Sequence, residues 1–295
     1  MNIPQYPDAR ALELPDKPLF DAIFSVLQPE VSECTFANLY LFRAAHAYRL
    51  TTVGDALVVL GRGYGDERYF LPPFSGDIDG AVRLLLDEGM TLYGADGPFA
   101  ARYLSGAGVV LTEDRDNFDY LYRRSEMAEL AGGRFHKKRN RVKYFTNRHS
   151  HRVEPYAPAF RPGALTLLDE WARVHRPTGS ASLAREVEAT REALGLAGEL
   201  GLEGLVVLVE GTVAAFVLGE RLNRTTSVCH FEKSEPFLEG LSQLVEREFN
   251  RLLFTDCTWT NREQDLGQPG LRAAKLSYHP ERLVKKYRAR AGWNK

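Results

Sequence analysis

Hydrophobic and polar positions follow their most regular pattern in the second half of the chain. The run HRVEPY at residues 151–156 predicts a short strand. Residues 164–174 and 183–194 then carry apolar side chains every three to four positions. That spacing is typical of a helix with one buried face, so two amphipathic helices are expected after the first strand.

Three strand-like runs follow, at residues 205–210, 212–222 and 225–232, and turn-forming pairs separate them. Residues 241–253 then place leucine, valine and phenylalanine on one helical face, which predicts a third amphipathic helix. The segment DCTWT at 256–260 completes the series as a strand. The predicted order of elements in this half is β-α-α-β-β-β-α-β.

The first half of the chain shows a weaker version of the same order. Strand-like runs at 48–53, 56–61 and 67–73 precede a helical pattern at 78–86 and a strand at 90–94. The resulting β-β-β-α-β series repeats the order of elements without repeating the residues themselves. The chain is therefore expected to contain two similar halves.

Charge marks the junction between these halves. The formal net charge of the 295-residue chain is only −1, yet residues 134–152 hold eight Lys or Arg and no acid. A basic helix is predicted at 135–145, just after two consecutive glycines. We therefore expect domains at residues 1–130 and 151–295, joined by a basic connection at 131–150.

The spacing of the cysteines and the hydropathy of the chain indicate the cellular compartment of the protein. Cys34, Cys229 and Cys257 are widely spaced, which favours a reducing compartment and offers no metal-ligand spacing. The N-terminal residues combine prolines and acids where a signal peptide needs a basic start and an apolar run. No run is apolar enough to predict a transmembrane segment. A cytoplasmic protein is expected.

A dense polar cluster follows the last predicted strand. Five large polar residues, 261–265, come directly after it, and a Gly-Gln-Pro-Gly turn and the apolar anchors Leu266 and Leu271 come next. Strand-end carboxylates and guanidinium groups before a turn are typical of a functional site. A salt-bridged structural corner remains the alternative interpretation of this cluster.

Four blocks resemble one known family: ECTFANLYLFR (33–43), GRFHKKRNRVKYF (133–145), HFEKS (230–234) and NREQDLGQPGLRAAKLSYHP (261–280). Together they resemble the phosphatidylglycerol lysyltransferase C-terminal domain family, which includes many stand-alone bacterial proteins. The resemblance implies an α/β (α+β) fold of two tandem GNAT-like acyltransferase domains. Their sheets would be mixed, mostly antiparallel and flanked by helices.

The same resemblance implies where the site lies. In this fold the donor binds between the fourth and fifth strands of a domain, beside the helix that connects them. The catalytic candidates are Glu232, Glu263, His230 and Asp265, with Glu232 or Glu263 as the base; they are expected to share one cleft with Asn261. The substrate-binding candidates are His136, Lys137, Lys138, Arg139, Asn140, Lys233, Asn261, Arg262, Arg272, Lys275 and Tyr278.

The start of the helix at residue 241 bears on the identity of the donor. Coenzyme A-dependent members of the fold use a glycine-rich turn whose amides surround the pyrophosphate. The segment here has one glycine, Gly240, and two acids, Glu235 and Glu239, which disfavours coenzyme A. An aminoacyl-tRNA donor, with no cofactor and no metal, agrees better with the basic connecting helix.

The resemblance implies transfer of an aminoacyl group from aminoacyl-tRNA to a phosphatidylglycerol-type lipid or a soluble acceptor. Two alternatives stay open: an acyl-CoA-dependent N-acetyltransferase, and a non-catalytic ligand-binding module. A basic face suits peripheral contact with the anionic inner membrane face. The cations near the C-terminus are expected to be solvated: Lys285, Lys286, Arg288 and Arg290. The sequence does not indicate the oligomeric state.

Overall fold

The computed structural model describes residues 2–63, 65–106, 108–175 and 181–292. Its strands are β1 (Arg10–Ala11), β2 (Arg49–Val53), β3 (Ala56–Arg62), β4 (Arg68–Phe70), β5 (Thr91–Ala95), β6 (Val109–Glu113), β7 (Asp119–Arg123), β8 (His151–Pro155), β9 (Glu203–Val209), β10 (Thr212–Asn223), β11 (Thr226–Ser234), β12 (Trp259–Asn261), β13 (Arg282–Val284) and β14 (Tyr287–Ala291).

The helices surround two sheets formed by these strands. They are α1 (Lys17–Leu27), α2 (Phe36–Leu41), α3 (Ile78–Asp87), α4 (Gly97–Tyr103), α5 (Arg124–Glu129), α6 (His136–Thr146), α7 (Arg161–His175), α8 (Ala181–Leu200), α9 (Leu241–Leu252) and α10 (Pro269–Leu276). Within the described ranges, every helix is too short or too polar to cross a lipid bilayer.

Both sheets are mixed and mostly antiparallel, as predicted. The first sheet has the strand order β1-β2-β3-β4-β5-β14-β6, and the second has the order β13-β7-β12-β11-β10-β9-β8. The parallel pairs are β4 with β5 and β11 with β12. In each case a helix, α3 or α9, connects the two parallel strands, because parallel neighbours need a crossover connection.

The described chain forms two compact units. The first contains residues 2–119, Gln264–Arg272 and 283–292, and the second contains Tyr120–Glu263 and Ala273–Arg282. The chain thus returns twice to its first unit after it has entered the second. The predicted domain boundaries at residues 130 and 150 stay a prediction.

The core of the first unit lies between its sheet and α3. Phe70, Leu85 and Leu92 are fully buried there, and Ala289 of β14 joins them. The spacing of Ala81, Val82, Leu85 and Leu86 on α3 produces one continuous apolar face, which the sheet covers. This packing explains why the weakly patterned first half still forms a sheet-and-helix unit.

The parallel strands β11 and β12 separate within the second unit. Their pairing runs from Thr226 opposite Trp259 to Val228 opposite Asn261, whereas β11 continues to Ser234. Residues 229–234 therefore extend beyond the last pairing with β12. We refer to this place, where β11 continues without pairing to β12, as the gap between the two strands.

An irregularity in β11 lies at the same place. Gly219 of β10 is opposite Cys229, but the next residue of β10, Leu218, is opposite Phe231. His230 is thus the additional residue of a β-bulge, which locally changes the direction of the side chains. Bulges are frequent near functional sites, and this one positions the polar residues described below.

Helix α6 confirms the predicted basic helix. Phe135, Val142 and Phe145 are buried beneath it, which leaves most of its cations on the other side. Gly240, directly before α9, has a φ of 93°, and a Cβ there would lie 2.1 Å from the carbonyl oxygen of Arg141. Only glycine permits this close approach of the chain to α6.

Candidate functional site

A largely buried guanidinium, 17% exposed, lies next to the gap between β11 and β12. Arg262 follows β12 directly, and its Nη2 lies 2.5 Å from Oε2 of Glu246 on α9 and 3.3 Å from Oε2 of Glu232 on β11. The Arg262 guanidinium also lies 5.2 Å from the ring centre of Tyr278. We refer to Arg262, Glu232, Glu246, Tyr278 and the neighbouring Lys138 as the Arg262 cluster.

The carboxyl of Glu232 holds its proton more strongly than an exposed glutamate does. Burial raises the pKa of Glu232 well above its usual value, and the nearby Glu246 carboxylate raises it further. The positive charge of Arg262 lowers the pKa of Glu232, but Arg262 is shared between the carboxylates of Glu232 and Glu246. Burial lowers the pKa of Arg262, but Glu246 and Glu232 outweigh that effect, so its pKa is raised and it stays charged.

Lys138 of α6 brings a second cation to the cluster. Its Nζ donates a hydrogen bond of 2.7 Å to Oγ of Ser277 and lies 3.9 Å from the ring centre of Tyr278. Burial lowers the pKa of Lys138 to about 8, and the charge of Arg262 acts in the same direction. Lys138 is one of the substrate-binding candidates that the resemblance implied, and the structure makes it half-buried.

His230 forms a separate group with two other carboxylates. Its Nδ1 lies 2.7 Å from Oε1 of Glu263, and its Nε2 lies 2.8 Å from Oε1 of Glu220. Burial lowers the pKa of His230, but hydrogen bonds to Glu220 and Glu263 outweigh it and raise the pKa to about 10. Both ring nitrogens therefore donate, and the imidazolium has no lone pair with which to accept a proton.

The candidate side chains that were expected in one cleft thus form separate groups. Glu263 contacts His230, whereas Glu232 contacts Arg262, although the two glutamates flank the same gap. The bulge at His230 explains the division, because the additional residue changes the alternation of side chains along β11. The resemblance implied one shared cleft because all of these residues lie at or just past the ends of adjacent strands.

Hydrogen bonds to the main chain hold the turn after β12. The buried Oδ1 of Asn261 accepts a hydrogen bond of 2.7 Å from the main-chain nitrogen of Glu263, which has a φ of 54°. Nζ of Lys275 donates to the carbonyl oxygens of Arg262 and Glu263. The hydroxyl of Tyr122 in turn donates to the carbonyl oxygen of Lys275. Asn261 and Lys275 therefore fix the direction of the Arg262 and Glu263 side chains.

Asp265 and Arg272, two further candidates, belong to the first compact unit. The side chain of Asp265 is fully buried, and its carboxylate accepts hydrogen bonds of 2.9 and 2.8 Å from Arg272. Arg115 contacts the same carboxylate at 3.2 Å, and Arg272 also contacts Asp116 at 2.7 Å. This is the salt-bridged corner that was the alternative interpretation of the polar cluster.

The remaining candidates lie on α6 and at the end of β11. Nζ of Lys233 lies 2.5 Å from Oε1 of Glu186 and 4.4 Å from the ring centre of Trp171. Arg139 donates to main-chain carbonyl oxygens before α6. The exposed candidates on α6 are His136, Lys137 and Asn140, of which His136 and Asn140 contact each other at 3.1 Å.

Sequence reasoning missed Glu246 and Glu220. Glu246 is 2% exposed and lies among the apolar residues on the inner face of α9. A carboxylate within an apolar stripe is the signal that could have identified it, because buried carboxylates need a partner. Glu220 lies in β10 before a turn and offered no comparable signal. Among the described residues, no cluster of His, Cys, Asp and Glu could hold a metal ion.

Comparisons with known proteins place this geometry in context. The family model described as "Phosphatidylglycerol lysyltransferase, C-terminal" matches residues 24–290. A conserved protein of unknown function from Bacteroides thetaiotaomicron is 28% identical, with a TM-score of 0.87; the match covers 96% of this chain and 99% of that one. No curated protein matches the chain by sequence.

Two more distant structures share the fold. L-PGS from Bacillus licheniformis is 13% identical with a TM-score of 0.66, and the match covers 100% of this chain and 95% of that one. The C-terminal domain of a putative lysylphosphatidylglycerol synthetase from Agrobacterium fabrum is 13% identical with a TM-score of 0.64, covering 96% and 93%. The predicted fold of two GNAT-like halves is confirmed.

Proposed function

This chain belongs to the phosphatidylglycerol lysyltransferase C-terminal domain family, and from that premise we propose that it transfers an aminoacyl group from an aminoacyl-tRNA to an acceptor. The Arg262 cluster is the observation that carries the proposal. A carboxyl with a raised pKa, a fixed guanidinium and a lysine with a lowered pKa lie together where two parallel strands separate. Perturbed groups that converge in this way are typical of catalytic sites.

Acyl transfer needs a base, a proton donor and a counter-charge for the oxyanion. Glu232 is the proposed base, because a raised pKa makes its carboxylate a better proton acceptor than an ordinary glutamate. Arg262 offsets the negative charge that develops on the carbonyl oxygen. Lys138, whose pKa is about 8, is the proposed donor to the leaving oxygen.

The bonds and protons of the proposed transfer balance with Glu232, Lys138 and solvent. The acceptor's hydroxyl or amine attacks the ester carbonyl of the donor and forms the new acyl bond. The ester bond to the terminal ribose of the tRNA breaks. Glu232 takes the proton of the acceptor, the ribose oxygen takes a proton from the Lys138 ammonium, and solvent restores both groups.

His230 and Lys275 are proposed to position these groups rather than to react. The imidazolium of His230 fixes the Glu263 carboxylate, whose side chain stays 17% exposed. Lys275 holds the carbonyl oxygens of Arg262 and Glu263, which keeps the turn after β12 in place. A fixed turn keeps the reacting groups within the narrow geometry that acyl transfer requires.

For the acceptor we propose a phosphatidylglycerol-type lipid or a soluble molecule with a hydroxyl or amine. The name of the matching family and the names of the two distant structures support the lipid. A soluble acceptor uses the same chemistry, because the attacking group needs only a removable proton. The test below includes both classes.

The test is a transfer assay with tRNAs charged with radiolabelled amino acids, plus phosphatidylglycerol vesicles or a bacterial metabolite extract. Label from at least one charged tRNA should appear in an acceptor. Glu232→Gln keeps the shape of the side chain but removes the base, so turnover should fall by about 10²- to 10⁴-fold. Glu188→Gln, on a side chain of α8 that is 74% exposed, is the matched control.

Equal activity in Glu232→Gln and Glu188→Gln would remove Glu232 from the mechanism. Transfer from acetyl-coenzyme A, with none from any aminoacyl-tRNA, would replace the proposal with the acetyltransferase alternative. The absence of transfer from both donors would favour a non-catalytic binding module. Each outcome thus decides between the classes that the sequence left open.

A further inference from the structure

Strand β6 forms one edge of the first sheet, and most of its side chains are exposed. Val110 is 47% exposed and Leu111 is 40% exposed. Because successive side chains of a strand point to opposite faces, this edge is apolar on both faces of the sheet. Within the described ranges, β14 is the strand that pairs with β6, and the other side of β6 has none.

Of the four sheet edges in the described part of the chain, the other three carry the usual protection against pairing with a further strand. Strand β1 has two residues and β13 has three. Strand β8, HRVEP, contains charged side chains and a proline. Strand β6, VVLTE, has five residues in regular register with β14. Its one charged residue, Glu113, already pairs with Lys285, so β6 is an unprotected edge.

The main-chain groups of β6 that face outward can be identified from its pairing with β14. The nitrogen of Gly292 donates to the carbonyl oxygen of Gly108 at 2.6 Å, and the nitrogen of Asp114 donates to that of Lys286 at 2.9 Å. Direction alternates along an antiparallel strand. The main-chain groups of the odd-numbered residues therefore face outward, and these residues are Val109, Leu111 and Glu113.

We propose that two copies of this protein associate through β6, with the two strands antiparallel about a two-fold axis at Leu111. The first sheets of the two copies then form one continuous sheet. Centring the axis on Leu111 pairs all five residues of β6, because Leu111 is its middle residue. We refer to this contact as the β6 junction.

The main chain of β6 is complementary to itself at this junction. The two Leu111 residues exchange N–H···O hydrogen bonds, because both of their outward groups face the axis. The N–H of Glu113 donates to the carbonyl oxygen of Val109 in the second copy. The N–H of Val109 contacts the carbonyl oxygen of Gly106 at 3.4 Å within its own chain, so its bond across the junction is not needed.

The side chains also favour a second copy over a strand of unrelated sequence. The two Leu111 side chains lie opposite each other, on the face where Leu111 is next to the fully buried Ala289. The apolar core of one copy is thereby continued into the other. On the opposite face Val110 lies opposite Thr112 of the second copy, and these neutral residues separate the arginines of β14. Like charges are therefore kept apart across the junction.

The size of the junction determines its strength. A five-residue strand is about 17 Å long, which places the contact at the low end of protein interface sizes. A reversible dimer that forms with rising concentration is therefore expected, rather than a permanent one. Dimer formation needs no substrate, so its outcome is independent of the proposed transfer.

The test is sedimentation equilibrium of the full chain at about 1 to 300 µM, where weak interfaces assemble. The average mass of the unaltered protein should rise from that of one chain towards that of two. Leu111→Lys places two like charges directly opposite each other, and it should raise the dissociation constant about tenfold or more. Leu84→Lys is the matched control, since Leu84 of α3 is 41% exposed and lies outside the junction. It should dimerise as the unaltered protein does.

A mixture of two variants tests the two-fold register directly. Leu111→Lys and Leu111→Glu should each remain monomeric alone, because each repels its own copy. Mixed in equal amounts they should form a dimer, since opposite charges then lie opposite each other across the junction. Circular dichroism and thermal melting check that each variant is folded, and recovery in the mixture itself shows that both are competent to pair.

Three results would overturn the inference. A monomer over the whole concentration range would leave β6 to a strand of another protein and reject the second copy. A dimer of unchanged affinity in Leu111→Lys would place the contact on another surface. A mixture of the Lys and Glu variants that stays monomeric would reject the pairing of Leu111 with itself.

Discussion

At the scale of single residues, His230 and Glu232 show how strongly local surroundings control protonation. One residue separates them in β11, yet each contacts a different set of charges. His230 lies between the carboxylates of Glu220 and Glu263, which hold its second proton. Glu232 has Arg262 on one side, but burial and Glu246 together raise its pKa. Opposite environments within one strand provide a fixed cation and a carboxyl that can exchange its proton.

A pH-dependent contribution to stability follows from His230. Its pKa is about 10 in the folded protein against the usual 6.5. Because the folded pKa is raised, its stabilising effect is complete below pH 6.5 and is lost as the pH rises through about 10. The difference in free energy of unfolding between the unaltered protein and His230→Gln should therefore shrink over that range.

Urea denaturation at a series of pH values measures this difference. The comparison with His230→Gln cancels the titration of groups common to both proteins. A difference that stays constant from neutral pH to pH values near 10 would mean that the imidazole is neutral in the folded state. It would also mean that one of its two carboxylate contacts carries the proton.

At the scale of elements, the contact between α6 and the start of α9 depends on one glycine. Gly240→Ala should destabilise the protein by about 1–3 kcal/mol, because an alanine there is strained at φ 93°. Its Cβ would also overlap the carbonyl oxygen of Arg141 at 2.1 Å. Thermal and chemical denaturation report the change.

Gly198→Ala in α8 is the matched control for this prediction. A Cβ at Gly198 meets nothing within 4 Å, and alanine favours a helix over glycine by up to about 1 kcal/mol. The control should therefore be neutral or stabilising. If the two variants had equal stability, α6 and α9 would not depend on their close approach at Gly240.

The spacing of apolar residues in the sequence predicted where helices and strands form. It did not predict which residues of neighbouring strands lie opposite one another. The helices α7, α8 and α9 and the strands β9, β10 and β11 occur where the spacing of apolar residues predicted them. The bulge at His230 depends on how β11 meets β10, and no single strand contains that information. The Arg262 cluster was foreseen only in part for the same reason, since Glu246 acquires its role from a partner on another element.

At the scale of the whole molecule, strand β14 shows how distant segments complete one sheet. It lies between β5 and β6 and pairs with both. Lys286, just before it, is 1% exposed; it contacts Glu33 and lies 2.7 Å from Oδ1 of Asp119. The sequence predicted a solvated Lys286, and this was wrong. Its neighbour Lys285 is about half exposed. Because the two residues are identical and adjacent, the sequence does not indicate which of them is buried.

The two lysines provide a paired prediction. Lys286→Gln leaves the carboxylates of Glu33 and Asp119 without their shared cation, and such a loss costs about 3–5 kcal/mol of stability. Lys285→Gln removes only a solvent-exposed contact with Glu113 and should leave stability nearly unchanged. Equal unfolding midpoints for the two variants in guanidinium chloride would contradict the buried network.

The position of β14 also has a consequence for the synthesis of the protein on the ribosome. Strands β5 and β6 leave the exit tunnel well before β14, the strand that lies between them in the sheet, is synthesised. At roughly 5–20 residues per second, the nascent chain carries two strand edges without their partner for on the order of ten seconds or more. Unpaired edges invite association between neighbouring chains. Translation speed and chaperone access therefore affect the yield of this protein independently of the stability of its finished fold.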